Sequence, residues 1–237
     1  MEVRIANDPE SVARLAAATI AADARGAIAG RGRFTLAVSG GHTPWLMLRM
    51  LAEEDVPWGG VHVYQVDERI APDGDPDRNL THIRESLLLH VPLRQDQMHA
   101  MPVESASLES AAAEYNAELE AIAGKPPVLD LVHLGLGPDG HTASLVPGDA
   151  ALRVTNADVS LTGVYQGRRR MTLTYPAINR ARRILFLVTG SEKTQMLRRL
   201  VDGDPSIPAG KVNRDRVLLL ADRAAAGQLM TPRAGGQ

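Results

Sequence analysis

The sequence predicts an α/β fold built around a mostly parallel sheet. Short apolar runs alternate with helix-period segments from end to end, the pattern left by strand–helix–strand crossovers. No linker-like composition or internal repeat divides the 237 residues, so one domain over 1–237 is expected. Several apolar runs also end in glycine-rich turns, where open α/β sheets place their ligands.

Taken in order, Ala13 to Ala29 is Ala-rich with helical spacing, and Phe34 to Val38 reads as a strand. A helix is expected from Pro44 to Glu53, with Thr43 as its N-cap and Pro44 in its first turn. Val61 to Val66 is the next strand, followed by an Asp/Pro/Gly loop over residues 72 to 77. Leu80 to Leu89 and Leu108 to Ala123 carry helical spacing, and Val128 to Leu134 reads as a buried strand. An irregular stretch runs from Gly135 to about Ala157. Met171 to Tyr175 alternates as a half-exposed strand does. Ile184 to Val188 is fully apolar and leads into a helix from Glu192 to Val201. Val217 to Ala221 is expected to close the sheet, ahead of a short helix near Arg223 to Leu229 and a frayed tail from Thr231 to Gln237.

Composition narrows the function classes. At 44% hydrophobic and 23% charged the chain has ordinary globular proportions. No apolar run approaches a membrane span, and Met1-Glu2-Val3-Arg4 lacks the pattern of a secretory signal. Zero cysteines exclude disulfides, thiol nucleophiles and thiolate metal sites, which fits a cytoplasmic protein. A net charge of −2 with two Phe gives no support for nucleic-acid binding. The clusters Arg168-Arg169-Arg170 and Arg180, Arg182, Arg183 read either as solvated surface or as the lining of an anionic substrate site.

Four strand ends bear on chemistry. Ser39-Gly40-Gly41-His42-Thr43-Pro44 lets backbone N–H groups approach an anion at a helix start, or is simply a tight turn. Asp67-Glu68-Arg69 is either a surface turn or a sugar-phosphate contact, with Arg69 as a planar fork for phosphate oxygens and Asp67 as an acceptor for hydroxyls. Arg78 and Asn79 would join the same rim. Thr189-Gly190-Ser191-Glu192-Lys193 puts Lys193 in a first helical turn, against the helix dipole; it reads either as a surface lysine or as a phosphate contact. The most informative end is Gly135 to Leu145. It matches G-x-G-x-x-G, but Pro138 and Pro147 leave no room for the helix that a dinucleotide site requires. What remains is Asp139-Gly140-His141, a glycine-framed base at a sheltered strand end. The seven His show no metal-ligand spacing, and no G-x-S-x-G elbow is present.

Together these segments resemble the 6-phosphogluconolactonase family, within the wider glucosamine-6-phosphate isomerase/deaminase-like group. Ser39 to Pro44 looks like its phosphate loop, Val66 to Arg69 its second motif and Gly135 to Leu145 its D-G-H-x-A-S-L signature. Thr172 to Ile178, Thr189 to Lys193 and Pro208 to Val212 follow in the family's order. The resemblance implies a single Rossmann-like three-layer α/β/α domain that hydrolyses 6-phospho-D-glucono-1,5-lactone without a metal or organic cofactor. It implies His141 as general base beside Asp139, with Ser39, Gly40, Gly41, Thr43, Asp67, Arg69, Gly140 and Lys193 around the substrate. The oxyanion formed on attack needs donors or a cation, and backbone N–H groups near Gly140 are one candidate. The expected partner is a small sugar-phosphate lactone, with no nucleic acid and no membrane, on a monomer or weak homodimer. Two departures stand out: His42 and Trp45 are bulky for the first loop, and Gln166 to Arg170 replaces a segment where relatives tend to carry prolines. The deaminase branch typically carries Glu five residues beyond its His; Val146 stands there. Sugar-phosphate-sensing modules usually add a DNA-binding domain, for which the chain has no room.

Overall fold

In the computed structural model, which describes residues 1–230, the chain begins with β1 (Glu2–Ala6), α1 (Pro9–Arg31), β2 (Phe34–Val38), α2 (His42–Ala52) and β3 (Val61–Gln65). There follow β4 (Asp67–Arg69), α3 (Asn79–Ile83), β5 (Met98–His99), α4 (Leu108–Ala123) and β6 (Leu131–Leu134). The remainder is β7 (Val159–Leu161), β8 (Arg170–Leu173), α5 (Tyr175–Arg180), β9 (Arg183–Val188), α6 (Thr194–Asp202), β10 (Val217–Asp222) and α7 (Gly227–Met230). The expected tail, Thr231 to Gln237, lies outside the described residues.

Local chemistry explains why α1 is longer than its apolar period. Asp8 caps it, accepting the Ser11 N–H at 2.7 Å, and Pro9 occupies the first turn, where its missing N–H costs nothing. Gly32 ends it in the left-handed region at φ 76°. Small residues at helical spacing, from Ala13 through Ala27, let this helix pack closely on the sheet.

The central sheet has seven strands in the order β1-β10-β9-β6-β2-β3-β5. Every pair is parallel. Side-chain alternation divides it between two cores. Leu36, Val38, Leu218 and Leu220 face the layer holding α1 and α2, whereas Ala37, Phe186, Leu219 and Ala221 face the opposite layer, with residues of α4, α5 and α6. That is the predicted three-layer α/β/α arrangement. From β2 the chain builds outward through β3 to β5, and from β6 outward through β9 to β10. The strand order therefore reverses at the β2/β6 boundary, where such sheets open a crevice at their carboxyl ends.

Three expectations change. β10 does not close the sheet; β1 lies beyond it as the edge strand. Its Val3 and Ile5 are exposed, and its charged Glu2 and Arg4 suit an unpaired edge, so it carries no buried apolar signature. Met171 and its neighbours are wholly buried, because β8 sits in the middle of a separate antiparallel sheet, β4-β8-β7. Finally, α2 starts at His42 with Gly41 (φ 127°) as its N-cap and no side-chain cap, so Thr43 does not cap it. The Thr43 hydroxyl instead meets that of Thr189 at 2.6 Å, tying the loop after β2 to the loop after β9.

Candidate active site

A pocket of about 210 Å³ opens at the crevice between β2 and β6. Its lining draws Ser39 and Gly40 from the loop after β2, Asp67 and Arg69 from β4, and Gly135, Gly137 and His141 from the turn after β6. Asn79, Arg170 and Lys193 complete its polar wall. Of the predicted residues, Ser39, Gly40, Asp67, Arg69, His141 and Lys193 thus converge on one cavity. Gly41, Thr43, Asp139 and Gly140 are not among the lining residues.

The turn after β6 is built to present His141. The Gly137 N–H donates to the His141 carbonyl at 2.8 Å, and the Gly140 N–H donates to the Gly137 carbonyl at 3.1 Å. The Gly140 donor is therefore occupied and does not serve an oxyanion. Gly140 is required for another reason: its φ is +82°, and a Cβ there would lie 2.6 Å from Ile207 Cβ. The His141 ring lies so close to the turn that a Cβ on Gly137 would fall 2.1 Å from Nδ1. Ala143, two residues on, takes φ 52°, a left-handed conformation that non-glycine residues adopt at a cost.

His141 Nδ1 lies 2.6 Å from Asp139 Oδ1, and the His141 backbone N–H donates to the same oxygen at 3.1 Å. A carboxylate at this nitrogen holds the proton on Nδ1 and leaves Nε2 as the free acceptor. Burial acts to raise the Asp139 carboxyl, but the two His141 donors, its ring charge and the Tyr165 hydroxyl outweigh it, so the group sits below the ordinary carboxylate range.

Beside His141 the pocket wall is cationic. Arg69 donates to the Asp77 carbonyl at 2.6 Å and to Asn79 Oδ1 at 2.9 Å. Gly40 makes room for Asn79, since a Cβ would lie 1.8 Å from its Oδ1. Arg170, buried at 5% exposure, reaches Gln166 Oε1 at 3.2 Å. Burial, with a smaller contribution from Arg69, lowers its affinity for its proton against the pull of Asp67. Lys193 precedes α6 and follows Gly190, whose N–H is held by the Asp222 carboxylate at 3.1 Å. Among the described residues neither Arg69, Arg170 nor Lys193 has a carboxylate within ion-pair distance, unlike Arg78, which lies 3.6 Å from Glu68. Ser39 Oγ, Arg69 Nε and Arg170 Nε are buried without a partner among the described residues. Three cations and one lining carboxylate, Asp67, leave surplus positive charge for an anionic ligand.

Some chemistry escaped the linear reading. Arg170 belongs to the flagged arginine cluster, but only its place on β8 brings it to the pocket, whereas Arg168 pairs with Asp75 and Asp77 at 3.0 Å each. Glu68 is a buried hub rather than part of a surface turn. It accepts from the N–H groups of Arg69, Asn79 and Leu80, each at 2.8 Å, and so caps α3 and sets Asn79 in place. Tyr165 donates its hydroxyl to Asp139 Oδ2 at 3.1 Å; nothing in its neighbours along the chain marks it. Trp45 stacks on His82 of α3 at 3.9 Å, while His42 is exposed, its ring 6.3 Å from that of Trp45.

Comparison with known proteins identifies the family. Residues 7–220 match the family model described as glucosamine-6-phosphate isomerases/6-phosphogluconolactonase. A 6-phosphogluconolactonase of Synechocystis is 42% identical over 175 residues, 72% of each chain. That of Mycobacterium tuberculosis is 38% identical over 217 residues, covering 86% of this chain and 88% of its own. The solved 6-phosphogluconolactonase of Trypanosoma brucei superposes with a TM-score of 0.84 at 26% identity, over 96% of this chain and 98% of its own. A monomeric glucosamine-6-phosphate deaminase also reaches 0.84, at 19% identity over 96% and 99% of the two chains, so the fold alone does not separate the branches. The chain belongs to the glucosamine-6-phosphate isomerase/6-phosphogluconolactonase family.

Proposed function

We propose that the chain hydrolyses 6-phospho-D-glucono-1,5-lactone to 6-phosphogluconate, the second step of the oxidative pentose phosphate pathway. The observation that carries this reading is a His141 ring held through Nδ1 by Asp139 in the same pocket as Arg69, Arg170 and Lys193. The cations hold the phosphate, aided by the first turn of α2, which has no side-chain cap. Nε2 of His141 takes a proton from water as its oxygen bonds to the lactone carbonyl carbon. The carbon–ring oxygen bond then breaks, and the imidazolium returns that proton to the departing oxygen. Asp139 does not line the pocket; its role is to hold the ring in one tautomer and to offset the positive charge formed there.

The deaminase alternative is disfavoured by Val146, a buried apolar residue at the position where that branch carries an acid. No helix among the described residues is long and apolar enough to cross a membrane. The decisive assay is lactone hydrolysis by wild type and His141→Ala, corrected for spontaneous hydrolysis, beside ammonia release from glucosamine 6-phosphate. Loss of turnover in the variant with retained 6-phosphogluconate binding is expected. Near-wild-type turnover would remove His141 from the mechanism, and ammonia release would move the chain to the other branch.

A further inference from the structure

We infer that Tyr165 is a positioning residue for the base: its hydroxyl holds the far oxygen of Asp139 and so fixes the tautomer and direction of the His141 ring. The inference rests on the lactonase reading and adds a third group to the two that the Asp-Gly-His signature supplies.

The geometry is a chain of contacts. Asp139 Oδ1 takes the His141 ring and backbone donors, and Oδ2 takes the Tyr165 hydroxyl at 3.1 Å. The two oxygens therefore have separate partners, and the carboxylate plane cannot rotate without breaking one of them. The Tyr165 and His141 rings meet edge to face at 5.3 Å between centroids, which blocks tilting of the imidazole on that side. Tyr165 is itself anchored. It pairs with Arg168 across a two-residue turn, with the Tyr165 N–H donating at 2.9 Å. Gln166 and Gly167, at φ 51° and 79°, give that turn the left-handed residues that a tight hairpin requires. The Arg170 guanidinium covers the tyrosine ring at 5.1 Å and is tied to the turn through Gln166.

This places Tyr165 between the phosphate-facing wall and the base. The groups around the Asp139–His141 pair are the Tyr165 hydroxyl and Arg170, with Asp67, Arg69 and Lys193 across the pocket. Burial, then Asp139, raises the Tyr165 phenol above its ordinary value, so it stays a donor throughout the working range.

The test is Tyr165→Phe, which keeps the ring, its stacking and the hairpin while deleting the hydroxyl. With wild type active on the lactone, kcat is expected to fall about tenfold, the scale of one lost hydrogen bond to a charged group, with KM little changed. The acid limb of the kcat profile should move to higher pH, because Asp139 loses a donor that holds its carboxyl low. Nitrogen-15 spectra of histidine-labelled protein should show the His141 ring passing from one tautomer to a mixture, a readout independent of turnover. A variant matching wild type in kcat, acid limb and tautomer would overturn the inference, as would lower thermal stability with limb and tautomer unmoved. Inactivity of the wild type on the lactone would instead refute the functional reading, and the tautomer would still judge Tyr165.

Discussion

Gly137→Ala tests the placement of the His141 ring against the turn after β6. Gly137 does not take the left-handed φ that would strain an alanine. Its Cβ, however, would lie 2.1 Å from Nδ1, 2.2 Å from Cε1 and 2.7 Å from Cγ of His141. Ordinary contact begins near 3.4 Å, so the ring must retreat by about 1.3 Å, half the length of the 2.6 Å bond to Asp139. It cannot move that far and keep both that bond and its aim into the pocket. A misplacement of about 1 Å costs on the order of 100-fold in rate. We therefore expect kcat for lactone hydrolysis to drop at least about 100-fold, with 6-phosphogluconate binding within a few-fold of wild type because the cationic wall is untouched. Steady-state kinetics corrected for spontaneous hydrolysis, with product titration by calorimetry, measure both. A kcat within threefold of wild type would refute the placement of the ring against Gly137.

Four further outcomes are expected. Arg69→Ala and Lys193→Ala should each raise KM far more than they lower kcat, since both cations face the pocket without a carboxylate partner; an unchanged KM would remove them from phosphate binding. Glu68→Gln leaves a single acceptor oxygen for the donors now shared by two and removes the buried carboxylate beside Arg78, which keeps only the more exposed Glu104 and Asp73. It should cost about 3 kcal/mol in urea unfolding, the range for a broken buried pair. Burial depresses His133 to about 3, so the unfolded chain takes up a proton below its ordinary value while the native state does not. Stability is therefore full above about pH 6.5 and is lost toward pH 3; about 2 kcal/mol between pH 7 and 5 should disappear in His133→Gln, read by paired denaturant titrations. Gly26→Ala, exposed on α1 with nothing within 4 Å of the new Cβ, should add about 0.5–1 kcal/mol in thermal unfolding with no change in kinetics.

The legibility of this protein divides along physical lines. The buried strands of the parallel sheet were readable because both faces are covered, which leaves continuous apolar runs such as Phe34 to Val38 and Ile184 to Val188. α4 matches its apolar period from Leu108 to Ala123 because its caps, Ser107 and Gly124, lie at those limits. β1 was not readable, since an edge strand with exposed Val3 and Ile5 buries too little to leave a pattern. No local pattern marks β4, β7 and β8 as a second sheet, because three- and four-residue strands take their pairing from distant partners.

The site divides the same way. By itself the sequence determined the fold class, the glycine-framed Asp139-Gly140-His141 turn, and the strand ends carrying Ser39, Asp67, Arg69 and Lys193. Each of these is a local pattern, set by neighbours along the chain. Only the tertiary structure decided that Arg170 rather than Arg168 faces the pocket, that Glu68 is a buried cap, that Thr43 bridges to Thr189, and that Tyr165 reaches Asp139 across 26 residues of sequence. Those contacts depend on the β4-β8-β7 sheet and on the crevice at the β2/β6 boundary. They come from the pairing of distant segments, which no short stretch of chain encodes.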